Sequence, residues 1–323
     1  MSNILFFSPP FFDYPSVIKA GLEKIFDKVT YFNITPSTKL YKVSWYVEAY
    51  FSNSVWKKNI ENKLFQKIRN AIELQNEKYD YILVIKGSYI PDYFYRFLKQ
   101  KYPYAKYIQY IWDDICNDPY APETFKYFDR VLSYNAKDCK KYNIIFRPFF
   151  YVDEYILYEK ERKYDISCIM SFSEERIEFL HKFLPLCTDT RENYILIKAS
   201  WLLKIIHYSK ITNLRKYVSS KGVTYSEMIH ILLQSKCQID LQHPRQEGLT
   251  TRAFEALSTG TKLITTNHNI IDYDFYIPDN IMVISRENPS FSIEWLNEPY
   301  KPISPEVMNR YSLSTFINDI LYE

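Results

Sequence analysis

The segment of residues 238–267 constrains the fold more than any other, because it has the pattern of strand, loop, helix, tight cap and strand. Residues 238–242 and 262–266 are β-rich runs, and residues 248–259 between them have helical periodicity. Two strands that are joined through a helix pair in parallel. The segment therefore predicts a βαβ unit of an α/β domain.

The predicted helix has two chemically different faces. Its apolar face is expected to pack on the sheet, and Gly260 stands where a left-handed cap can end the helix. The apolar face consists of Leu249, Ala253, Ala256 and Leu257, and the polar face of Gly248, Thr251, Arg252 and Glu255. The polar face either lines a binding site or belongs to an ordinary βα unit and is solvated.

The amino end of this helix is suited to bind a diphosphate. A helix N-terminus presents unpaired N–H groups and the positive end of its dipole, and Gly248, Thr250 and Thr251 add a small residue and two hydroxyls. Arg252 supplies a fork of donors for phosphate, and Glu255 can accept from the vicinal hydroxyls of a ribose or hexose. Together these residues predict a nucleotide-sugar site.

The motif EGLT at 247–250, followed by EAL at 255–257 and GTKLI at 260–264, resembles the GT-B glycosyltransferases of bacterial lipopolysaccharide and capsule assembly. In such enzymes two glutamates eight positions apart flank this helix. The first contacts the donor sugar and the second the ribose, and Glu247 and Glu255 match that spacing. The resemblance implies two doubly wound, Rossmann-like α/β domains that face each other across a cleft, with the donor on the C-terminal domain.

The chain has 323 residues, which is long enough for two domains with separate cores. We expect an N-terminal acceptor-side domain at 1–150, a linker at 151–163, and a nucleotide-sugar-binding domain at 164–303. The resemblance implies that a closing helix at 304–323 packs back toward the N-terminal domain. The predicted strands are 4–7, 29–33, 81–86, 106–112, 131–134, 144–147, 164–170, 194–197, 223–224, 238–242, 262–266 and 281–285.

Four more polar side chains lie near predicted strand ends, where ligands of such sheets bind. The resemblance implies that Asp13 and Asp113 face the acceptor and the donor sugar, although an aspartate at such a position is commonly a helix cap or turn residue. Arg176 and Lys198 are candidate cations for the donor phosphates. The alternative for Arg176 is an ion pair with Glu178 on the helix surface.

The first 150 residues are basic, with 22 Lys and Arg against 15 Asp and Glu. Within them, residues 56–70 combine basic side chains with an apolar stripe of Trp56, Ile60, Leu64 and Ile68. This pattern fits either an interfacial helix on an anionic membrane or a helix that packs on a sheet. We therefore expect a cytoplasmic protein, with peripheral contact at the inner face of the membrane as an option.

Other features narrow the class of protein. The five cysteines are scattered, which fits a reducing compartment, and no apolar run approaches the length of a bilayer span. Neither a dinucleotide motif nor a P-loop occurs, and no nucleic-acid partner is expected because no recognised binding motif is present. We expect no cofactor and no metal ion, so the helix dipole and cations must meet the charge of a leaving diphosphate.

The expected activity is transfer of a sugar from a nucleotide-sugar donor to a growing bacterial surface glycan, with a glycan or lipid-linked glycan as acceptor. Glu247 in the sugar-contact role that the resemblance implies favours a retaining reaction, whereas Asp13 or Asp113 as a base leaves an inverting reaction open. The alternatives are a nucleotide-sugar epimerase of the same fold and a non-catalytic sugar-nucleotide-binding partner in polysaccharide assembly.

Overall fold

The computed structural model describes residues 2–37, 41, 55–153 and 161–322. By internal contacts the chain divides into two compact units, Met1–Arg147 with Ile317–Glu323, and Pro148–Phe316. Much of the Tyr-rich segment at 35–54, which the sequence predicts to be irregular or partly helical, and residues 154–160 of the predicted linker lie outside the described residues. The sequence-based domain boundaries stay predictions.

The first unit contains a six-stranded parallel sheet with the order β2-β1-β3-β4-β5-β6. Its central strands are continuous apolar runs, as expected of strands that helices cover on both faces. Residues 82–85 in β3, for example, have no exposed surface. The strands are β1 (Asn3–Ser8), β2 (Lys28–Asn33), β3 (Tyr81–Ile85), β4 (Lys106–Ile111), β5 (Arg130–Ser133) and β6 (Ile145–Phe146).

Helices of the first unit join these strands. They are α1 (Tyr14–Leu22), α2 (Val55–Gln75), α3 (Asp92–Lys101) and α4 (Ala136–Tyr142). The basic helix α2 packs on the sheet: Phe65, Ile68 and Ile72 are buried in one core cluster with Ile82 and Val84 of β3. Because the core covers these side chains, Ile68 of the apolar stripe is not available to a membrane surface.

The second unit contains another six-stranded parallel sheet, with the order β12-β11-β10-β7-β8-β9. Its strands are β7 (Tyr164–Ser171), β8 (Asn193–Lys198), β9 (Val218–Ser219), β10 (Ser235–Asp240), β11 (Lys262–Thr265) and β12 (Ile281–Val283). The α/β fold class, with two doubly wound sheets, is confirmed. The short strand predicted at 223–224 is wrong, because Thr224 is the N-cap of the following helix and the strand lies at β9.

Helices and turns of the second unit flank this sheet. They are α5 (Glu174–Phe183), α6 (Trp201–Ile206), α7 (Tyr208–Ile211), α8 (Tyr225–Leu233), α9 (Thr251–Ser258), α10 (Ile293–Asn297) and α11 (Pro305–Arg310). The last helix, α12 (Leu313–Tyr322), begins in this unit and ends in the first. The motif helix, α9, begins at Thr251 rather than at Gly248. Thr250 is its N-cap, so residues 248–250 belong to the loop that approaches the helix. Among the described residues, no helix is long and apolar enough to span a bilayer.

The last helix, α12, contributes residues to the first unit from Ile317 onward. There the carboxylate of Asp319 forms an ion pair with Arg147 at 2.6 Å, and the Arg147 side chain is only 7% exposed. Arg130 and Lys106 donate to the carbonyls of Asp319 and Leu321 at 3.0 and 2.8 Å. These contacts fix the end of the chain to the first sheet.

The end of α9 is a glycine cap. Gly260 has a φ of 58°, in the left-handed region. The amide of Thr261 donates to Ala256 O at 3.0 Å and that of Gly260 to Leu257 O at 3.4 Å, which is the Schellman pattern. The cap predicted at Gly260 is confirmed, and it lets β11 start two residues after the cap.

Gly260→Ala is expected to lower the free energy of unfolding by about 1–2 kcal/mol, because a Cβ is strained at left-handed φ. The matched control is Gly222→Ala. The φ of Gly222 is not positive, and its added Cβ would meet only the flexible Lys198 side chain, at 3.1 Å. Urea unfolding of both variants measures the difference, and an equal effect of the two substitutions would contradict the strain at Gly260.

Candidate functional site

The candidate site lies at the carboxyl edge of the second sheet, where β7, β10, β11 and β12 end. In open parallel sheets this edge is where ligands bind, because the loops and the amino ends of the following helices converge there. Three arginines follow three of these strands: Arg176 after β7, Arg252 after β10 and Arg286 after β12. The sequence interpretation singled out the first two and missed the third.

The amino end of α9 is organised by Thr250. Its hydroxyl accepts from the Arg252 amide at 3.2 Å and donates to Oδ2 of Asp240 at 2.9 Å. Among the residues that the structure describes, the backbone amides of Gly248, Leu249 and Thr251 donate to no protein group. Such amides at a helix N-terminus are suited to an anion.

The loop before α9 is held from the neighbouring strand. Asn267 lies two residues after the end of β11, and its Nδ2 donates to the carbonyls of Glu247 and Gly248 at 3.1 and 3.2 Å. Asn269 adds a bond to Glu247 O at 2.9 Å. These side chains occupy the carbonyls of the loop, which fixes the backbone at the positions where the free amides lie.

Arg252 and Glu255 form an ion pair on α9. Arg252 Nη1 donates to Glu255 Oε2 at 2.6 Å, and the side chains are 14% and 0% exposed. The polar face of α9 is therefore not solvated, and the alternative of an ordinary helix with a solvated face is wrong. Because the Glu255 carboxylate is enclosed, the structure shows it holding the Arg252 guanidinium at the first turn of the helix.

Arg176 connects two strand ends at the same edge. Its Nε donates to Leu241 O beyond β10, and its Nη1 donates to Ser171 O at the end of β7, both at 3.1 Å. The guanidinium thus bridges backbone carbonyls instead of lying on the helix surface. Burial lowers the pKa of Arg176, and it remains charged because arginine does not lose its proton in proteins.

Arg286 is the residue that the sequence interpretation missed. Its Nη2 donates to Gln242 O at 2.8 Å and to Thr266 Oγ1 at 3.2 Å, so it connects the loops after β10 and β11. Its Nη1 is buried and has no hydrogen-bond partner among the described residues. A buried cationic donor without a protein partner is costly, so an anion or a water that accepts from Nη1 is favoured there.

Three guanidinium groups are gathered at this edge and influence one another. Burial, and then the positive charge of Arg176, lowers the pKa of Arg286, which shows that two guanidinium groups lie in one electrostatic neighbourhood. Asp240 is buried at the end of β10, and its burial raises its pKa, opposed by Thr250 and Arg252. Three guanidinium groups thus lie at this edge with the carboxyls of Asp240 and Glu255, and Glu287 and Glu175 also act on Arg286.

The remaining candidates of the second unit lie at or next to this edge. Lys198 ends β8 and is exposed, with its side chain over Gly222. Glu247 lies in the loop held by Asn267 and is partly buried. The structure therefore places Lys198, Arg176, Glu247 and the start of α9 on one edge of one sheet.

Asp13 and Asp113 lie at the carboxyl edge of the first sheet. Asp13 is the N-cap residue of α1, and Asp113 forms an ion pair with Lys86, which follows β3. The ring of Phe11 lies 4.4 Å from that of Trp112, centroid to centroid, so the loops that carry the two aspartates are in contact. The sequence correctly placed both residues after strands of this sheet.

An Asp-X-Asp triplet can bind a metal ion in some proteins. The chain has such a triplet at Asp272-Tyr273-Asp274. The Asp274 carboxylate accepts from Tyr311 at 2.7 Å and from Arg310 at 2.6 Å. Asp274 therefore binds side chains at the end of α11. Within the described ranges, no group of three or more His, Cys, Asp or Glu side chains is arranged to hold a metal ion.

A cavity of about 510 Å³ lies at the opposite, amino edge of the second sheet. Its cationic side chains are Arg162, Lys236 and Lys262, and all of them have protein partners. Arg162 donates to carbonyls such as Thr259 O at 2.8 Å, Lys236 pairs with Asp165 at 2.7 Å, and the Lys262 ammonium lies 4.6 Å from the centroid of the Trp295 ring. These contacts hold the amino edge together, and the candidate site is placed at the other edge because the buried Nη1 of Arg286 lies there.

The two parallel six-stranded sheets with their flanking helices match solved structures that have the GT-B fold, over nearly the whole chain. A UDP-forming α,α-trehalose-phosphate synthase from Burkholderia xenovorans has a TM-score of 0.61 and 11% identity over 99% of this chain and 98% of its own. A glycosyltransferase of avilamycin A biosynthesis has a TM-score of 0.58 and 11% identity, covering 99% and 96%. The catalytic domain of starch synthase IV from Arabidopsis thaliana has a TM-score of 0.53 and 8% identity, covering 98% and 95%.

These likenesses establish the fold and leave the activity open, because the identities are so low. No protein-family model matches the sequence, and no curated protein matches it. The activity must therefore be argued from the site itself.

Proposed function

We propose that this chain is a glycosyltransferase that takes its sugar from a nucleotide-diphosphate donor bound at the carboxyl edge of the second sheet. The observation that carries the proposal is the buried Nη1 of Arg286, which lacks a partner among the described residues beside the amino end of α9. The GT-B fold, whose solved relatives include a UDP-forming synthase, supports the same assignment.

The chemistry of glycosyl transfer suits this arrangement. The bond between the anomeric carbon and the diphosphate oxygen breaks, and its electron pair leaves on the diphosphate. The acceptor hydroxyl oxygen forms a new bond to the anomeric carbon and gives up its proton. Preorganised donors, namely Arg252, Arg286 and the amides of Gly248 and Thr251, stabilise the negative charge that develops on the leaving group. We propose that these donors, with Arg176 and Lys198, replace a metal ion.

The acceptor is proposed to bind at the carboxyl edge of the first sheet, with Asp13 or Asp113 as the base of an inverting reaction or Glu247 as the sugar contact of a retaining one. The acceptor class, a bacterial surface glycan or its lipid-linked precursor, rests on the resemblance of the motif at 247–264. Arg252 is held by Glu255, and this pairing reduces the conformational freedom that diphosphate binding must otherwise remove.

A nucleoside diphosphate is expected to raise the thermal midpoint, since a ligand at 100 times its Kd stabilises the native state by about 2.7 kcal/mol. The screen compares UDP, GDP, ADP and dTDP with their monophosphates, each with magnesium or with a chelator. We expect one diphosphate to stabilise the protein in both conditions, and its monophosphate to do so far less. Equal shifts with mono- and diphosphate, or no shift at all, would contradict the proposal.

Turnover then separates the activities. A transferase releases the nucleoside diphosphate from its sugar donor only when an acceptor is supplied. An epimerase interconverts the donor without an acceptor, and a non-catalytic binding partner shows thermal stabilisation but no turnover of donor under either condition.

A further inference from the structure

Residues 201–208, which we call the 201–208 surface, expose large apolar side chains in one short stretch. Trp201, Ile205, Ile206 and Tyr208 are 69%, 63%, 61% and 52% exposed, and Leu202 is 38% exposed. Five of the fifteen large hydrophobic side chains that are exposed among the described residues thus fall within eight consecutive positions. A monomeric soluble protein rarely leaves such a contiguous patch uncovered, so it marks an interaction surface.

The 201–208 surface is anchored to the unit from behind. Ser200 caps α6 by accepting from the Leu203 amide at 3.3 Å, and Ile211 and Leu214, which follow, are buried in the core. His207 contacts Phe172 ring to ring at 5.0 Å. The segment is therefore held in place, and its exposed apolar side chains are presented outward.

The chain segment that carries this surface is basic. Residues 193–226 contain six Lys and Arg and no Asp or Glu. Arg215 lies over the Tyr208 ring at 4.8 Å, and Lys216 and Lys221 are exposed beyond it. On the α5 side, Glu174 pairs with Lys210 and His207, and Glu175 and Glu178 also lie near enough to raise the pKa of Lys210. Arg215, Lys216 and Lys221 lie beyond these carboxylates in the sequence and are exposed, so they can contact an anionic partner.

We propose that the 201–208 surface docks on an anionic lipid bilayer, with Trp201, Ile205 and Ile206 at the boundary of headgroups and acyl chains and the basic residues on lipid phosphates. Aliphatic and aromatic side chains ringed by Lys and Arg are typical of interfacial membrane segments. Protein–protein interfaces, by contrast, are depleted in lysine. The lipid surface is therefore the occupant that composition and charge favour.

The 201–208 surface lies next to the candidate site. α6 starts three residues after Lys198, at the same edge of the second sheet as the candidate site. Docking there would bring that edge toward the bilayer and within reach of an acceptor carried on lipid. This consequence rests on the proposed function, whereas the docking itself is independent of it and is measured without any donor.

Sedimentation with vesicles tests the docking on the full chain. The wild-type protein is expected to bind vesicles of phosphatidylcholine with phosphatidylglycerol, to bind phosphatidylcholine alone much more weakly, and to be released by salt. Ile205→Ser with Ile206→Ser is expected to weaken binding by roughly tenfold for each isoleucine removed from the apolar phase. The matched control is Ile25→Ser, which changes an isoleucine that is 40% exposed before β2 in the first unit.

Two double variants that reverse charges test where on the protein the vesicle binds. Arg215→Glu with Lys216→Glu is expected to abolish the preference for anionic vesicles, whereas Lys63→Glu with Lys67→Glu on the basic helix α2 is expected to retain it. All these side chains are exposed, so thermal midpoints should stay near that of the wild type and confirm that each variant folds.

Three outcomes overturn the proposal. The first is that the wild type ignores anionic vesicles. The second is that the α2 variant loses binding while the 201–208 variants keep it. The third is that sedimentation equilibrium shows a dimer that the Ile205 and Ile206 substitutions dissociate, since the surface would then be covered by a second copy of the chain.

Discussion

Arg252→Met is expected to lower the free energy of unfolding by about 3–5 kcal/mol, because it leaves the Glu255 carboxylate buried without its cation. Glu255 has no exposed surface, so water cannot replace the lost partner. Methionine keeps much of the side-chain volume, which limits any contribution from lost packing. Chemical denaturation of the unliganded protein measures the loss.

The double variant Arg252→Met with Glu255→Leu is the control for this prediction. Replacing both members of a buried ion pair by apolar groups leaves no stranded charge and is often close to neutral. We therefore expect the double variant to be more stable than the Arg252→Met single variant. If the second substitution instead added its own loss, the two side chains would not form the buried pair that the structure shows.

Arg286→Gln is expected to weaken the binding of the nucleoside diphosphate by roughly 10- to 100-fold, the usual contribution of a charge-assisted hydrogen bond. The physical reason is that Nη1 is buried and lacks a partner among the described residues, so the bond to phosphate is gained without giving up a bond to protein. Titration calorimetry with the diphosphate identified by the thermal screen gives the ratio of dissociation constants.

Arg191→Gln is the matched control for Arg286→Gln. It removes the same charge from an exposed residue that lies just before β8, at the amino edge of the same sheet. We expect its dissociation constant to equal that of the wild type. A similar loss of affinity in both variants would mean that diphosphate binding depends only on the net charge of the protein. The assignment of Arg286 to the site would then be wrong.

The part of the fold around residues 238–267 was readable from the sequence because its signals are local. Alternating and helical periodicity gave the order β10, α9, β11, and a glycine after the last helical turn gave the cap. The start of α9 was misplaced because Leu249 fits the helical stripe by spacing. In the structure Leu249 belongs to the loop before the helix, although its side chain is buried. The helix begins after Thr250, whose hydroxyl donates to Asp240 and caps the first turn.

The site was only partly readable, because its other members come from distant segments. Arg252 and Glu255 lie on the recognised helix, whereas Arg286 and Asn267 are brought to the same edge by the pairing of β10, β11 and β12. One signal could have found them: polar residues close after a predicted strand of the same parallel sheet meet at one edge. That rule had singled out Asp13, Asp113 and Lys198.

The sequence alone did not predict which apolar stretch of the chain is exposed. The sequence interpretation considered a membrane only for the stripe of α2, and the stretch at 201–208 combines apolar and basic residues in the same way. Burial separates them, since Ile68 is 4% exposed and Ile205 is 63% exposed. The packing of the whole sheet decides which apolar side chains are buried in the core. No local sequence pattern contains that information.

The most direct test of the account is a crystal structure of the chain with the nucleoside diphosphate selected by the thermal screen. The predicted result is that phosphate oxygens lie within about 2.7–3.2 Å of Arg286 Nη1 and of the amides at Gly248–Thr251, at the amino end of α9. Diphosphate seated instead in the cavity beside Lys236 and Lys262, with the edge around Arg286 closed by protein groups, would contradict the central claim.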